Sequence, residues 1–222
     1  EKKGITYYKG EPFTGEIFEN YKNGQLKYKV NYKDGKREDG LYEMYYENGQ
    51  LEKKENFKDG KEDGLSEFYD ENGTLKFKIN WKDGKEDGLS EVYDENGKLS
   101  YKWYYKNGKK IIYEQYYDNG QLEFKSEQKD GKENGLYVYY NENGQLSYKM
   151  NFKDGKLDGL SETYYENGQL DVKANWKDGK EDGLSERYDK DGKKILLNIS
   201  SWAEVAATSA TYSIGDIVNG GV

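Results

Sequence analysis

The sequence predicts an all-β chain, an elongated antiparallel meander of about eight β-hairpin repeats of roughly 24 residues each. Three observations carry this. Asn-Gly or Asp-Gly pairs recur at a nearly constant step along the chain. The runs between them are rich in Tyr, Phe, Trp and Leu, residues that suit strands. The glycines are also spaced too closely to leave room for stable helices.

Residues 1–14 read as an N-terminal edge or cap, and the single proline, Pro12, falls where a strand edge tolerates it. Residues 15–194 form the repeat array. An Asn-Gly pair ends at Gly24, Gly49, Gly73, Gly97, Gly120, Gly144 and Gly168, with Asp191-Gly192 as the eighth pair. A second pair, Asp-Gly or Asn-Gly, ends at Gly35, Gly60, Gly84, Gly108, Gly131, Gly155 and Gly179. The unit from Gly40 reads GLYEMYYENGQLEKKENFKDGKED. Both central residues of a type I′ hairpin turn need φ > 0, which Asn-Gly and Asp-Gly supply. About sixteen strands are expected, in a sheet ~75 Å long and ~24 Å wide.

The register follows from charge. Counting the unit's first glycine as zero, a two-residue turn at positions eight and nine sets position three against position fourteen. The expected pairs are Glu43–Lys54, Glu67–Lys78, Glu91–Lys102, Glu114–Lys125 and Glu162–Lys173, and Val138 breaks the pattern opposite Lys149. Each pair contributes a few tenths to ~1 kcal/mol. A three-residue turn would shift the pairing and set Glu beside aromatics, so two residues are expected.

This register assigns faces. One carries Leu51, Leu75, Leu99, Leu122, Leu146 and Leu170, then Phe77, Tyr101, Phe124 and Tyr148, and then Phe57, Trp81, Tyr105, Phe152 and Trp176. The first glycine of each unit falls on it opposite position fifteen, where Trp103 or Ile79 shields it. The other face carries the Glu/Lys ladder, an Asn row and Tyr45, Tyr69, Tyr93, Tyr116, Tyr140, Tyr164 and Tyr188.

All 35 Lys and Arg lie at or before Lys194. Beyond it, Ser201 to Glu204 fits a capping box ahead of a short helix near 202–208, with Trp202, Val205 and Ala206 on its apolar side. Residues 195–222 are therefore a cap over the last strands or the opening of a second domain.

Composition narrows function. Charged residues make up 35% of the chain, and the net charge is −8. That balance speaks against a general affinity for nucleic acid or for an anionic membrane surface. No apolar run approaches the ~18 residues of a membrane helix. There is no Cys and no His, which removes thiol chemistry, the usual general base and the commonest metal ligand. A chain with this composition starting at Glu1 rather than Met is expected to be an exported or surface protein, with the cytoplasm as the alternative for an antitoxin.

The decapeptide KDGKEDGLSE occurs unchanged from Lys58, Lys82 and Lys177. Its acids, Asp59, Glu62 and Asp63 in the first copy, are of the type calcium uses. However, D-G-K-E-D-G does not follow an EF-hand loop, lysines sit among the acids, and turn chemistry accounts for Asp-Gly. Neither metal nor cofactor is expected. The Glu row is a ladder of near-equivalents, whereas a catalytic acid needs one carboxylate set apart by its surroundings. No phosphate loop or nucleophile elbow occurs. Ser66, Ser90, Ser161 and Ser185 read as ordinary early-strand residues, and no enzyme is expected.

The pieces Y-Y-E-N-G-Q-L and K-D-G-K resemble the bacterial MORN repeat variant across roughly residues 15–194. The resemblance implies partner binding rather than chemistry, because proteins of that family are similar to antitoxin or immunity partners of secreted toxins. Eukaryotic MORN proteins are associated with membrane lipids, but their G-x-G spacing is not evident here and the charge is acidic.

The expected function is a non-enzymatic protein–protein interaction module, with a toxin as one kind of partner. The alternative is an exported surface protein that binds glycan or cell wall through aromatic rows. Large aromatics with little entropy to lose dominate binding surfaces. The candidate binding residues are Tyr45, Tyr69, Trp81, Tyr93, Trp103, Tyr105, Tyr140, Tyr164 and Trp176. Pairing of two chains through the aromatic face is a further expectation.

Overall fold

The computed structural model describes residues 5–195. The expected C-terminal helix, its capping box and the choice between cap and second domain lie outside the described residues.

Among the described residues there is no helix. Sixteen arms follow one another, from Gly15–Asn20 and Leu26–Lys33 to Glu186–Tyr188 and Lys194–Ile195. Each is antiparallel to the arm before it, in one long meander. The sheet is open, with Gly15–Asn20 at one end and Lys194–Ile195 at the other. A separate two-residue hairpin, Tyr7–Tyr8 against Glu11–Pro12, folds over the first Asp-Gly turn. There the Thr6 amide donates to the Gly35 carbonyl at 2.7 Å, and the Gly35 amide to the Phe13 carbonyl at 2.7 Å.

The two kinds of turn differ. The Asp-Gly turn is the expected two-residue type: Asp34, Asp59, Asp83, Asn107, Asp130, Asp154 and Asp178 have φ between 49° and 52°, and each following glycine is positive too. The Asn-Gly turn is not, which corrects the sequence expectation. Tyr46 N–H donates to the Gln50 carbonyl, and Gly49 N–H to the Tyr46 carbonyl, so Glu47, Asn48 and Gly49 form a three-residue loop in which only the glycine has positive φ. This is a type I turn closed by a left-handed glycine.

A second irregularity undoes the shift that the third residue introduces. Tyr45 pairs with Leu51, but Met44 pairs with Lys53, leaving Glu52 as an extra residue in a bulge. The same step occurs between Val92 and Tyr93, Gln115 and Tyr116, Tyr139 and Tyr140, and Thr163 and Tyr164. Past the bulge, Glu43 faces Lys54 as expected.

The bulge moves the leucine row. Directly paired residues share a face, so Leu51, Leu99, Leu122, Leu146 and Leu170 lie beside Tyr45, Tyr93, Tyr116, Tyr140 and Tyr164, not beside Tyr101 and Phe124. The glycine partner also differs from expectation. Gly64 faces Trp81, Gly88 faces Tyr105 and Gly159 faces Trp176, at position seventeen, while Trp103 and Ile79 at position fifteen face Ser90 and Ser66.

Two glycines separate the causes of the composition. Gly60, in an Asp-Gly turn, has φ 75° and open space where a Cβ would sit. Gly64 has φ 110°, and its Cβ would meet the Asn56 Cβ at 3.2 Å. Gly60→Ala is therefore expected to cost only the left-handed strain, about 1 kcal/mol. Gly64→Ala should cost more, because strain and crowding add. Thermal unfolding of the two variants checks the order, and equal midpoints would contradict it.

Candidate functional site: a charge ladder and an aromatic file on opposite faces

The Glu–Lys pairs do not stop at each hairpin. Lys54 faces Glu43 on one side and Glu67 on the other, and Lys78 lies between Glu67 and Glu91. Lys102 lies between Glu91 and Glu114. Beyond Lys125 the row passes through Val138 to Lys149, Glu162, Lys173 and Glu186. Opposite charges thus alternate from Lys29 to Lys125 and again from Lys149 to Glu186. Lys125 Nζ lies 3.1 Å from Glu114 Oε1, and Glu162 reaches both Lys149 at 2.5 Å and Lys173 at 3.7 Å.

Tyrosines two residues on complete the row. The hydroxyls of Tyr45, Tyr93, Tyr116, Tyr164 and Tyr188 donate to Glu43, Glu91, Glu114, Glu162 and Glu186 at 2.7–2.9 Å. Burial pushes the Glu162 carboxyl up. Hydrogen bonds from Lys149 and Tyr164 and the charges of the two lysines outweigh that and hold it below its ordinary value.

The turns are laced together along both long edges of the sheet. The Asp before each unit's first glycine accepts the backbone N–H of the Asp-Gly or Asn-Gly turn one unit on: Asp39 from Asp59, Asp63 from Asp83, Asp87 from Asn107 and Asp158 from Asp178. Thr14 does the same for Asp34. These bonds help hold the Asp87 and Asp158 carboxyls below the usual range. On the opposite edge, Asn23, Asn48, Asn119 and Asn167 donate to the carbonyls of Glu47, Glu71, Glu142 and Lys190 in the next unit. The Tyr21, Tyr46, Tyr117 and Tyr165 hydroxyls reach the Tyr45, Tyr69, Tyr140 and Tyr188 carbonyls. In the decapeptide copies the Asp63 and Asp87 carboxylates are thus occupied by backbone N–H groups, and no group of three or more candidate metal ligands occurs among the described residues.

The other face carries the aromatic rings. From Tyr101 to Phe152 eight rings touch in succession, with centroids 5.0–6.0 Å apart. Tyr101, Trp103 and Tyr113 stack within 18° of parallel. Tyr139, Tyr148 and Tyr137 stack within 6°, and Phe124 joins Tyr137 at 7°. Lys110 Nζ lies 5.1 Å from the Trp103 ring centroid and 5.2 Å from that of Tyr113. Burial pushes the Lys110 ammonium down and the Glu86 carboxyl up; a hydrogen bond from Tyr105 and the charge of Lys110 offset the latter in part.

The nine candidate binding residues separate onto the two faces, and all are half-buried. Tyr45, Tyr69, Tyr93, Tyr140 and Tyr164 belong to the charge-ladder face, where four of them give their hydroxyls to glutamates. Trp81, Trp103, Tyr105 and Trp176 belong to the aromatic face, and only Trp103 joins the file. Trp176 instead donates its indole N–H to Ser161 at 2.8 Å. That serine is buried, as are Ser66, Ser90 and Ser126, and Ser66, Ser90 and Ser161 are early-strand residues as expected. Sequence reasoning missed Tyr113, Phe124, Tyr137, Tyr139 and Tyr148 as a group. The available signal was position two, which is Ser in the units from Gly64, Gly88 and Gly159 but Tyr at Tyr113 and Tyr137.

Two expected outcomes follow from these rows. Glu162→Gln keeps the shape but removes the charge between two lysines, with an expected loss of about 1–2 kcal/mol at neutral pH. Because the folded carboxyl lies below its unfolded value, its contribution is present above the unfolded pKa and disappears as pH falls through the folded one. Denaturant unfolding of both proteins should therefore converge in acid; a pH-independent gap would contradict the ladder's electrostatic role.

At the alkaline end, burial pushes Tyr93, Tyr105 and Tyr148 up to about 12. Their folded-state contribution is complete below the unfolded pKa of ~10 and is lost as pH rises toward the folded value. Stability should fall across that window, with tyrosinate absorbance of the folded protein rising late. Tyrosines that all titrate near pH 10 in the folded state would contradict it.

Comparison with known proteins agrees with this repeat geometry. The MORN repeat variant family matches seven times, at residues 13–34, 38–59, 62–83, 86–107, 109–130, 133–154 and 157–178. No curated protein sequence matches the chain. Among solved structures, a glycine-to-arginine mutant of S. aureus TarM, crystallised with fondaparinux, alpha-GlcNAc-glycerol and UDP, is similar over 54% of this chain and 21% of its own, at 14% identity and a TM-score of 0.28. The chain thus spans about a fifth of that structure's length, and the likeness supports no functional argument. With hairpin units at a step near 24 residues and family matches over most of its length, the chain belongs to the MORN repeat variant family.

Proposed function

We propose that the protein is a non-enzymatic interaction module that presents the aromatic file between Tyr101 and Phe152 to another protein. The observation that carries this is the file itself: eight contiguous rings on one face of an open sheet, half-buried except for the buried Tyr137. Rings bring large contact area at small entropy cost, and clusters of them dominate protein interfaces. Lys110 beside Trp103 and Tyr113 adds a cation at the rim of the file.

A protein fits this surface better than a sugar. Tyr101, Trp103 and Tyr113 turn their faces toward one another, as do Tyr137, Tyr139 and Tyr148. A stacked file offers ring edges, whereas a sugar seeks an open ring face. The resemblance to antitoxin and immunity proteins makes a secreted toxin the first partner to test, and an exported or surface location suits that role as well as a cytoplasmic one.

The experiment is a pulldown with the whole chain, read by mass spectrometry, alongside Trp103→Ala and Tyr148→Ala variants whose β-sheet circular dichroism is unchanged. A protein recovered by the parent and reduced at least about tenfold by either variant, a loss of ~1.4 kcal/mol, is the expected result. Recovery that ignores both substitutions, or no partner under several conditions, would count against the reading. A glycan-array signal abolished by Trp103→Ala would favour the sugar alternative.

A further inference from the structure

We propose that the break in the charge ladder at Val138 is a binding site for a carboxylate, supplied as a glutamate or aspartate side chain by an acidic segment of a partner protein. This site lies on the face opposite the aromatic file and does not depend on that file's proposed role.

From Lys29 to Glu186 the row holds seven lysines and six glutamates. The missing acid is at Val138, which faces Lys125 on one side and Lys149 on the other. The ladder has a second interruption at Phe18, opposite Lys29, but there Glu16 pairs with Lys29 at 2.5 Å. At Val138 the flanking lysines instead lean outward, Lys125 to Glu114 and Lys149 to Glu162, which are acids already shared with the next lysines of the row.

The geometry a ligand would complete exists one step away. Lys149 and Lys173 flank Glu162 across two strand spacings, about 9.6 Å, and its one carboxylate reaches both ammoniums. Lys125 and Lys149 flank Val138 at the same interval. Tyr116 and Tyr164 donate to Glu114 and Glu162, but Tyr140, in the equivalent place, follows Val138. Turned back from those outer acids, the two ammoniums would flank a carboxylate held above Val138, and two charge-assisted bonds give such a group orientation as well as affinity. Val138 is 7% exposed and forms an apolar floor, whereas the side chains of Lys125 and Lys149 keep 35% and 36% exposure. The row carries one more lysine than glutamate within a chain of net charge −8, and Glu127, two residues beyond Lys125 on the same face, already accepts the Leu136 N–H.

The test is an NMR titration of the full chain, observing lysine side chains and tyrosine rings. The probe is an acetylated, amidated Gly-Glu-Gly peptide, with the Gly-Gln-Gly peptide and sodium acetate for comparison. Saturable shifts confined to Lys125, Lys149 and Tyr140 are expected with the Glu peptide alone. They should weaken about tenfold in Lys149→Gln or Lys125→Gln and vanish in Val138→Glu, which refills the gap from within. Shifts spread evenly over the lysine row, equal shifts with the Gln peptide, or persistence in Val138→Glu would overturn the site. Acetate matching the peptide would overturn the partner segment as its source. If Val138→Glu does not fold, the two lysine variants decide alone.

Discussion

The structure depends on a row of alternating charges running perpendicular to the strands. A one-layer sheet has no second layer to bury a face against, and this one buries few hydrophobic side chains outright, Tyr137, Val138, Val172 and Ala174. Its strands are held in register by what each side chain meets across the gap. Because most lysines of the row sit between two glutamates, slipping one arm by one residue would misplace both contacts, and its tyrosine hydroxyls would lose their acceptors too. Charged pairs on exposed surfaces contribute little individually. Here they are part-buried, repeated and shared, and their main effect is to make one register unique.

Everything else accommodates that row. In the Asn-Gly loop Asn48 uses both ends of its amide, Oδ1 for its own turn and Nδ2 for the carbonyl of Glu71 in the next unit. The bulge at Glu52 then returns the strands to the charge register. In the units where Tyr46 is replaced by Asp70 or Asp94, the aspartate turns inward and caps its own loop, through Thr74 and Asn72 in one case and Lys98 and Asn96 in the other. Unit-to-unit bonds and loop caps are interchangeable at that position, but the ladder beneath is kept.

This explains which parts could be read from the amino acids. The repeat, the strand direction and the Glu–Lys partners follow from period and charge, both visible in sequence. The loop type does not, since Asn-Gly suits a two-residue turn and the end of a three-residue one alike. Loop and bulge shift the register by one residue in opposite senses, so the pairing expected for Glu43 and Lys54 holds although the turn behind it differs. The leucines lie between the two irregularities and record only the first, which is why that row alone changes face. The aromatic file was hidden for another reason: which rings stack depends on whether position two is a serine that leaves room or a tyrosine that fills it.

Repeat arrays join each unit mainly to its neighbours, so a departure in one unit acts locally and need not disturb the rest. Several departures here fall in adjacent units, beside others at Phe18 and Tyr42. The connection before Ile111 is one residue shorter than in most units, and Lys109–Tyr116 runs as one continuous arm, as does Lys132–Tyr140. Tyr113 and Tyr137 replace serine on one face, and Val138 replaces glutamate on the other. Each change gives up something the regular unit has: a small residue under a large ring, a shared ion pair, a hydroxyl acceptor. That both faces change within the same two hairpins places the distinctive surface of the molecule there, with a ring file on one side and a gap between lysines on the other.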